Sequence, residues 1–467
     1  MTKTIGVLPL ARSTFDVEFA QSKSAQAYAL LEDCGHRVVG SRELLFDADS
    51  AATALDALAS EPLDLILVLQ VTFTDASMTV VTAQRFDLPV AIWALPEPRL
   101  GGRLRLNAYC GLNLAAHALG LNDREFSYLY ADPERPESRD DLEALLAGQR
   151  KTQPVTPTRP SAPESAHASA REVVERLKGQ RFARLGDHPE GFHTCSYNAD
   201  RLHALLGIEV DRFPLDNLFN RAAGIDPARV ESTRTQVGTE LQALELLDQG
   251  QLDKSLRLKS ALDDIRREGK YAAFAIRCWP ETFTEYGGAV CGPVSMMGEQ
   301  KVPCACEADV FGALTSLVLQ ELADAPAFQV DLVDLDHADG TGVVWHCGQA
   351  PISMADPDSD PSATIHTNRK MPLLYEFALK PGRVTFARFS QARGEIKLMI
   401  AGGKMQKSPK TFTGTSGVVR YDASTEQVEQ TIMGAGLEHH SCLVYGDYRA
   451  ELRGVAQALD IPCIELT

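Results

Sequence analysis

Leu63-Asp64-Leu65-Ile66-Leu67-Val68-Leu69-Gln70 is an apolar run of strand length, and its neighbours decide how the first part of this 467-residue chain is read. Upstream lie two further strand-like runs, Ile5-Gly6-Val7-Leu8-Pro9-Leu10 and Arg37-Val38-Val39. Downstream lies a fourth, Phe86-Asp87-Leu88-Pro89-Val90-Ala91-Ile92-Trp93. Helical patterns over residues 17–31 and the Ala-rich residues 51–58 separate them. Strands spaced by helices pair in parallel through right-handed crossovers, so a doubly wound α/β domain is expected here. Such sheets bind ligands beyond the carboxyl ends of their strands, which points to Arg12, residues 70–75 and residues 96–105. No GxGxxG follows the first strand, so a dinucleotide site is not expected.

Between residues 151 and 170 the composition changes, with Pro154, Pro157, Pro160 and Pro163 among Ser, Thr, Ala and Glu, as in a linker or an irregular excursion. Strand patterns resume at Phe182-Ala183-Arg184-Leu185-Gly186 and Ile208-Glu209-Val210-Asp211-Arg212-Phe213. A helix over 198–206 lies between them, and a helix-rich stretch over 227–268 precedes the strand at 271–276. After about residue 325 the rhythm is all-β: Gln329-Val330-Asp331-Leu332-Val333-Asp334-Leu335 alternates, as does Glu395-Ile396-Lys397-Leu398-Met399-Ile400. Turns are expected at Pro381-Gly382 and Ala401-Gly402-Gly403, in a barrel or a sandwich. The expected domains are therefore 1–165 and 166–325, both α/β, and 326–467, rich in β-structure.

A net charge of −17 without clustered Lys and Arg disfavours a nucleic-acid surface and does little for an anionic membrane. No stretch reaches the ~18 apolar residues of a membrane span and no signal peptide is evident, so a cytoplasmic protein is expected. The ten cysteines are scattered without CxxC pairs, which suits a reduced compartment. Cys304 and Cys306 are read as buried packing on one strand face rather than as zinc ligands.

Chemistry concentrates at Cys304-Ala305-Cys306-Glu307-Ala308-Asp309-Val310-Phe311-Gly312, where a short buried strand turns into an apolar helix. A carboxylate is costly in such a place unless a cation or hydrogen bonds hold it, so Glu307 is read as a metal ligand that also moves protons. Its expected position is the start of the helix, where backbone N–H groups favour an anion. Asp331 sits between apolar neighbours in a strand, a poor place for an acid. Asp334, Asp336 and Asp339 are read as water-facing residues in or beside a turn. The imidazole candidates are His346 and the pair His439-His440, of which only one can aim inward if both lie on a strand. Carboxylates with an imidazole suit Mn²⁺ or Mg²⁺ better than a thiolate-type zinc site.

Four stretches, Ala275 to Glu281, Pro303 to Thr315, Trp345 to Pro351 and His439 to Tyr448, together resemble the L-fucose and L-arabinose isomerase superfamily, closest to L-fucose isomerase-like proteins. The resemblance is strong from about residue 270 onward and mostly architectural before 151. It implies two Rossmann-like doubly wound domains followed by a mostly antiparallel β-barrel-like C-terminal domain, in a homo-oligomer, a hexamer, with active sites between subunits. It implies the metal ligands Glu307, Asp331 and His440, with the two acids as catalytic groups and Mn²⁺, or Mg²⁺ or Co²⁺, as the ion. Arabinose isomerases carry a glutamate at the second acid and a histidine corresponding to His346, so this chain mixes two patterns and His346 is a fourth ligand or a substrate contact. Trp279, Gln70 and Asn107 are the further candidate sugar contacts, and the loop arginines Arg99, Arg103 and Arg105 hint at an anionic substituent. The implied activity is a metal-dependent aldose–ketose isomerisation of a free pentose, deoxyhexose or modified sugar through an ene-diol. The alternatives are a metal-dependent lyase on a sugar acid and a non-catalytic sugar-binding protein.

Overall fold

The computed structural model describes residues 2–467, which form three sheets. The first holds β1 (Thr4–Leu10), β2 (Arg37–Gly40), β3 (Leu65–Gln70), β4 (Val90–Ala94) and β5 (Ser127–Tyr130), all parallel in the order β2-β1-β3-β4-β5. β3 and β4 are buried throughout, which explains their unbroken apolar runs: helices cover both faces of a parallel sheet. The strand order reverses between β1 and β3, and Arg12 and Phe73 emerge just beyond those two strands.

The second sheet is also parallel, in the order β7-β6-β8-β9, from β6 (Arg181–Leu185), β7 (Glu209–Phe213), β8 (Ala273–Ile276) and β9 (Cys304–Cys306). The Pro-rich stretch before it is not free: Thr158 exchanges two backbone hydrogen bonds, 2.9 and 2.8 Å, with Cys463.

The third sheet contains β10 (Phe328–Asp336), β11 (Thr341–His346), β12 (Ser362–Thr364), β13 (Leu374–Ala378), β14 (Gly382–Ser390), β15 (Lys397–Met405), β16 (Thr415–Tyr421), β17 (His440–Tyr445) and β18 (Cys463–Glu465). It is mixed: β16, β11, β10, β17, β14 and β15 are successive antiparallel neighbours, and β15 pairs back onto β16. β13 and β18 join in parallel.

Three expectations need correction. Ala401-Gly402-Gly403 is not a turn but the middle of β15; a Cβ on Gly403 would lie 2.8 Å from the Arg420 carbonyl oxygen, so glycine here permits close strand approach. Asp334 does not face water: it is buried, with Arg99 Nε at 2.6 Å and the Tyr130 hydroxyl on its other oxygen. Cys306 is not a free packing thiol but is disulfide-bonded to Cys278. Ile276 and Cys306 are register partners on neighbouring parallel strands, so the chain leaving β8 brings Cys278 to a Cα separation of 5.8 Å from Cys306. Cys304 is buried and free. No helix among the described residues is long and apolar enough to cross a membrane.

Candidate active site

The carboxyl ends of the two parallel sheets and the β10–β11–β17 region meet at one cleft. Larger clefts exist, one of about 700 Å³ beside Arg181 and Tyr271 and one of about 610 Å³ beside Glu97 and Arg99. The smaller cleft, about 90 Å³, is the one bordered by Glu307, Asp331, His346 and His439. Chemistry rather than size selects it.

Glu307 is not at the helix start. It and Ala308 occupy left-handed backbone, φ 59° and 57°, between β9 and the helix Val310–Ala323. Non-glycine residues rarely adopt this conformation and pay roughly 1–2 kcal/mol each for it, so the turn must be held by its surroundings. Ala308 N donates to Ile276 O at 3.0 Å and Asp309 N to Cys306 O at 3.2 Å. The turn aims the Glu307 carboxylate back across the cleft. Its Oε1 accepts from Trp279 Nε1 at 2.9 Å, and its Oε2 lies 3.2 Å from His439 Nε2 and 3.5 Å from His440 Nε2.

The helix-start role belongs instead to Asp309, whose Oδ1 accepts from Gly312 N at 2.9 Å. Asp309 is also gripped by the buried guanidinium of Arg388 and lies 2.9 Å from His440 Nδ1. Gln329 fixes this corner. Its Oε1 accepts from Cys306 N at 2.8 Å, which orients the amide so that Nε2 faces Asp309 Oδ2 at 3.1 Å. Two groups face His440 Nδ1, the Gln329 Nε2 at 2.8 Å and the Asp309 carboxylate at 2.9 Å; the anionic carboxylate is the stronger partner and favours the proton on Nδ1, leaving the unpartnered Nε2 toward Glu307 and toward Asp331 Oδ1 at 3.6 Å. Asp331 reaches this point because it is the register partner of His440 across β10–β17.

Both adjacent histidines aim inward, contrary to the strand-alternation argument. His439 precedes β17 rather than lying in it, and the two rings stack at 3.9 Å. His346 joins from β11: one nitrogen or oxygen each from Asp331, His346 and His440 lies within 4.8 Å of the others, as does one each from Glu307, His439 and His440. Asp331 Oδ1, His346 Nε2, His439 Nδ1 and His440 Nε2 are all buried without a hydrogen-bond partner. Such groups are costly to bury unsatisfied, and their donor set of carboxylate oxygens and imidazole nitrogens fits a divalent cation of the Mn²⁺ type.

The two acids are driven apart electrostatically. Burial pushes Glu307 up, but the hydrogen bond from His439, the charges of His440 and His439, and the Trp279 N–H outweigh it, holding the carboxyl at about 2. Burial dominates at Asp331, only partly offset by the histidines, and raises it to about 6. His439 is raised, its burial outweighed by Glu307 and Asp331. His440 is lowered by burial and by His439.

Of the remaining expected residues, Trp279 and Asn107 line the cleft. Gln70 does not: it is fully buried, its Nε2 donating to Thr72 O at 2.6 Å and Thr74 Oγ1 at 3.0 Å. Arg99 and Arg105 are spent on Asp334 and Asp16, and Arg103 on Thr14 O and Asn368 Oδ1. The cleft's own arginines are Arg12 and Arg369. Asp309, Gln329, Arg388 and Arg369 were not singled out from sequence. For Asp309 a signal existed, since Asp three residues before Gly312 at a helix start is a capping pattern.

Comparison with known proteins bears on this cleft. The model described as fucose/sulfoquinovose isomerase, N-terminal domain, matches residues 6–153, and that described as L-fucose isomerase, C-terminal domain, matches 344–467. A sulfoquinovose isomerase of Clostridium sp. (strain MSTE9) is 30% identical over 460 residues, 97% of each chain. Enzymes of the same name from Alkalicoccus urumqiensis and Priestia megaterium are 28% and 26% identical, covering 99% and 98% of each chain. An ABC sugar transporter subunit from Rhodobacter sphaeroides 2.4.1 aligns over 67% of this chain and 81% of its own, at a TM-score of 0.25 and 10% identity, and carries no argument.

Proposed function

The chain belongs to the L-fucose isomerase-like family, and from that premise we propose that it is a metal-dependent aldose–ketose isomerase whose substrate is a sulfonated hexose of the sulfoquinovose type. One observation carries the reading: two buried carboxylates, one in the turn after β9 and one in β10, converge at 3.5 and 3.6 Å on the unpartnered Nε2 of one histidine. Glu307, Asp331 and His440 would hold the cation, Mn²⁺ first, with His346 beside them. The chemistry such an ion supplies is electrophilic, drawing charge from the carbonyl oxygen and neutralising negative charge as it develops. We also read the pairing of β15 back onto β16 as closing the barrel that carries Asp331 and His440.

Isomerisation moves a proton between C1 and C2 and another between O1 and O2. Glu307, held ionised, is the group to receive the carbon-bound proton. Asp331, the second carboxylate at the same point, serves the two oxygens by carrying the hydroxyl proton between them. Asp309 fixes the His440 tautomer, and the Trp279 indole walls the sugar while orienting Glu307.

The test is incubation with Mn²⁺ and sulfoquinovose in D₂O. The expected result is a ketose product with deuterium incorporated at C2 of recovered aldose; absence of both in metal-loaded protein overturns the reading. Metal occupancy has its own readout. Mn²⁺ at a hundred times its Kd should stabilise the fold by about 2.7 kcal/mol, raising the melting temperature, and His440→Ala should abolish the rise. Because binding needs Asp331 ionised, Mn²⁺ affinity should fall as pH drops through about 6.

A further inference from the structure

The isomerase reading concerns one end of a sugar, and the indole of Trp279 leads to the other. Its N–H meets Glu307, while two guanidiniums lie over its ring, Arg12 at 5.1 Å and Arg369 at 5.3 Å from the centroid. Arg12 follows β1 and is tied to Asp75 at 3.0 Å. Arg369 differs: among the described residues no carboxylate lies within 4 Å of it, and its side-chain nitrogens donate no hydrogen bond.

Its loop is nevertheless tightly specified. His366 Nδ1 accepts from Asn368 N at 3.2 Å and Arg369 N at 3.3 Å, Lys370 N returns to His366 O at 2.6 Å, and His366 N donates to Met371 O at 2.9 Å. Asn368 is pinned by Arg103 at 3.0 Å, and the His366 ring packs edge-on against Phe283 at 5.3 Å. A half-buried cation is thus held over the same ring and in the same cleft as a second cation, an arrangement that costs free energy through desolvation and repulsion unless an anion completes it. Burial, with the charge of Arg12, lowers the Arg369 pKa, the same tension seen from the proton's side.

We propose that Arg369, backed by Arg12, is the specificity-determining residue that binds an anionic tetrahedral group on the substrate carbon farthest from Glu307. The charge count selects the anion. Arg12, Arg369 and Asp75 together leave one uncompensated positive charge, which matches a sulfonate monoanion better than a phosphate monoester carrying about −1.5 to −2 at pH 7. Guanidinium suits such a group because its forked donors meet two oxygens at once.

This inference rests on the isomerase reading, and the experiment separates the two. Wild-type enzyme with Mn²⁺ is assayed on sulfoquinovose, on its neutral 6-deoxyglucose counterpart, and on glucose 6-phosphate. The expected order of kcat/KM is sulfonate, phosphate, neutral sugar. Arg369→Gln should lower the sulfonate-to-neutral ratio by about 10²-fold, mostly through KM, and Arg369→Lys by less. Methanesulfonate should compete with sulfoquinovose in the wild type and not in Arg369→Gln. An unchanged ratio in a variant that melts at the wild-type temperature overturns the assignment, as does a wild type indifferent to the sulfonate or competition by methanesulfonate that persists in the variant. If no sugar is turned over or exchanged by the wild type, the isomerase reading itself has failed.

Discussion

Glu307→Gln will lower kcat for isomerisation by about 10³-fold, within the range of 10² to 10⁴ that a positioned proton-transfer group supplies. The substitution keeps side-chain shape, and a Gln carbonyl oxygen can still accept from Trp279 Nε1, so the cleft's geometry should survive. What is lost is the negative charge and the basic oxygen facing His439 and His440. Unlike an arginine, His439 can shed the proton that Glu307 helps it hold, so no charge is stranded and the melting temperature of the metal-free protein should change little. Two measurements decide it: kcat with saturating Mn²⁺, and deuterium exchange into the aldose in D₂O. Turnover should fall and exchange should fall with it, because both need the same carbon-bound proton to move. Full activity in the variant would sink the assignment of Glu307 as the base. Loss of turnover with intact exchange would move the base to Asp331, the other carboxylate at the meeting point on His440.

The fold and the site were legible from sequence to different depths, for physical reasons. Parallel β-structure announces itself because strands buried on both faces have no polar positions, as in β3 and β4. β15 did not, because its Ala401-Gly402-Gly403 centre imitates a turn and only the neighbouring β16 backbone explains the glycine. Glu307 was visible as an acid among apolar neighbours, yet its backbone state was not: nothing in a Glu-Ala-Asp triplet signals two consecutive left-handed residues. The histidine pair was misread through an assumption about register, since alternation applies only within a strand and β17 begins at His440. The Cys278–Cys306 bond was hidden because it depends on two strands distant in sequence becoming parallel neighbours. Arg369 left no trace at all. It sits in an irregular loop, and its interest lies in what it fails to pair with, a property that exists only in three dimensions.

Asp309→Ala will destabilise the protein by about 3–5 kcal/mol, the usual cost of breaking a buried ion pair from one side. Asp309 and Arg388 have side chains only 1% and 2% exposed, and no water can take over from the missing carboxylate. Arg388 would keep Thr194 O at 3.1 Å as its remaining acceptor, a neutral partner for a full charge. The helix Val310–Ala323 would also lose its cap at Gly312 N, adding about 1 kcal/mol. Replacing both partners, as in Asp309→Leu with Arg388→Met, should cost less than Asp309→Ala alone, because no buried charge is then stranded. The same pair sets an acid limit. Burial pushes Asp309 up, but Arg388 and His440 more than reverse it and hold the carboxyl well below the ordinary range. A carboxyl whose folded pKa is depressed contributes stability that is complete above the unfolded value of about 4 and drains away as pH falls toward the folded one. Urea unfolding of the wild type should therefore weaken steadily below about pH 4, and the double variant should show a shallower decline. An Asp309→Ala midpoint equal to that of the wild type would mean that Arg388 is not held by this carboxylate. Activity should fall as well, for a different reason: without the acceptor at Nδ1, His440 no longer has a fixed tautomer, and its Nε2 is no longer committed to the meeting point of Glu307 and Asp331.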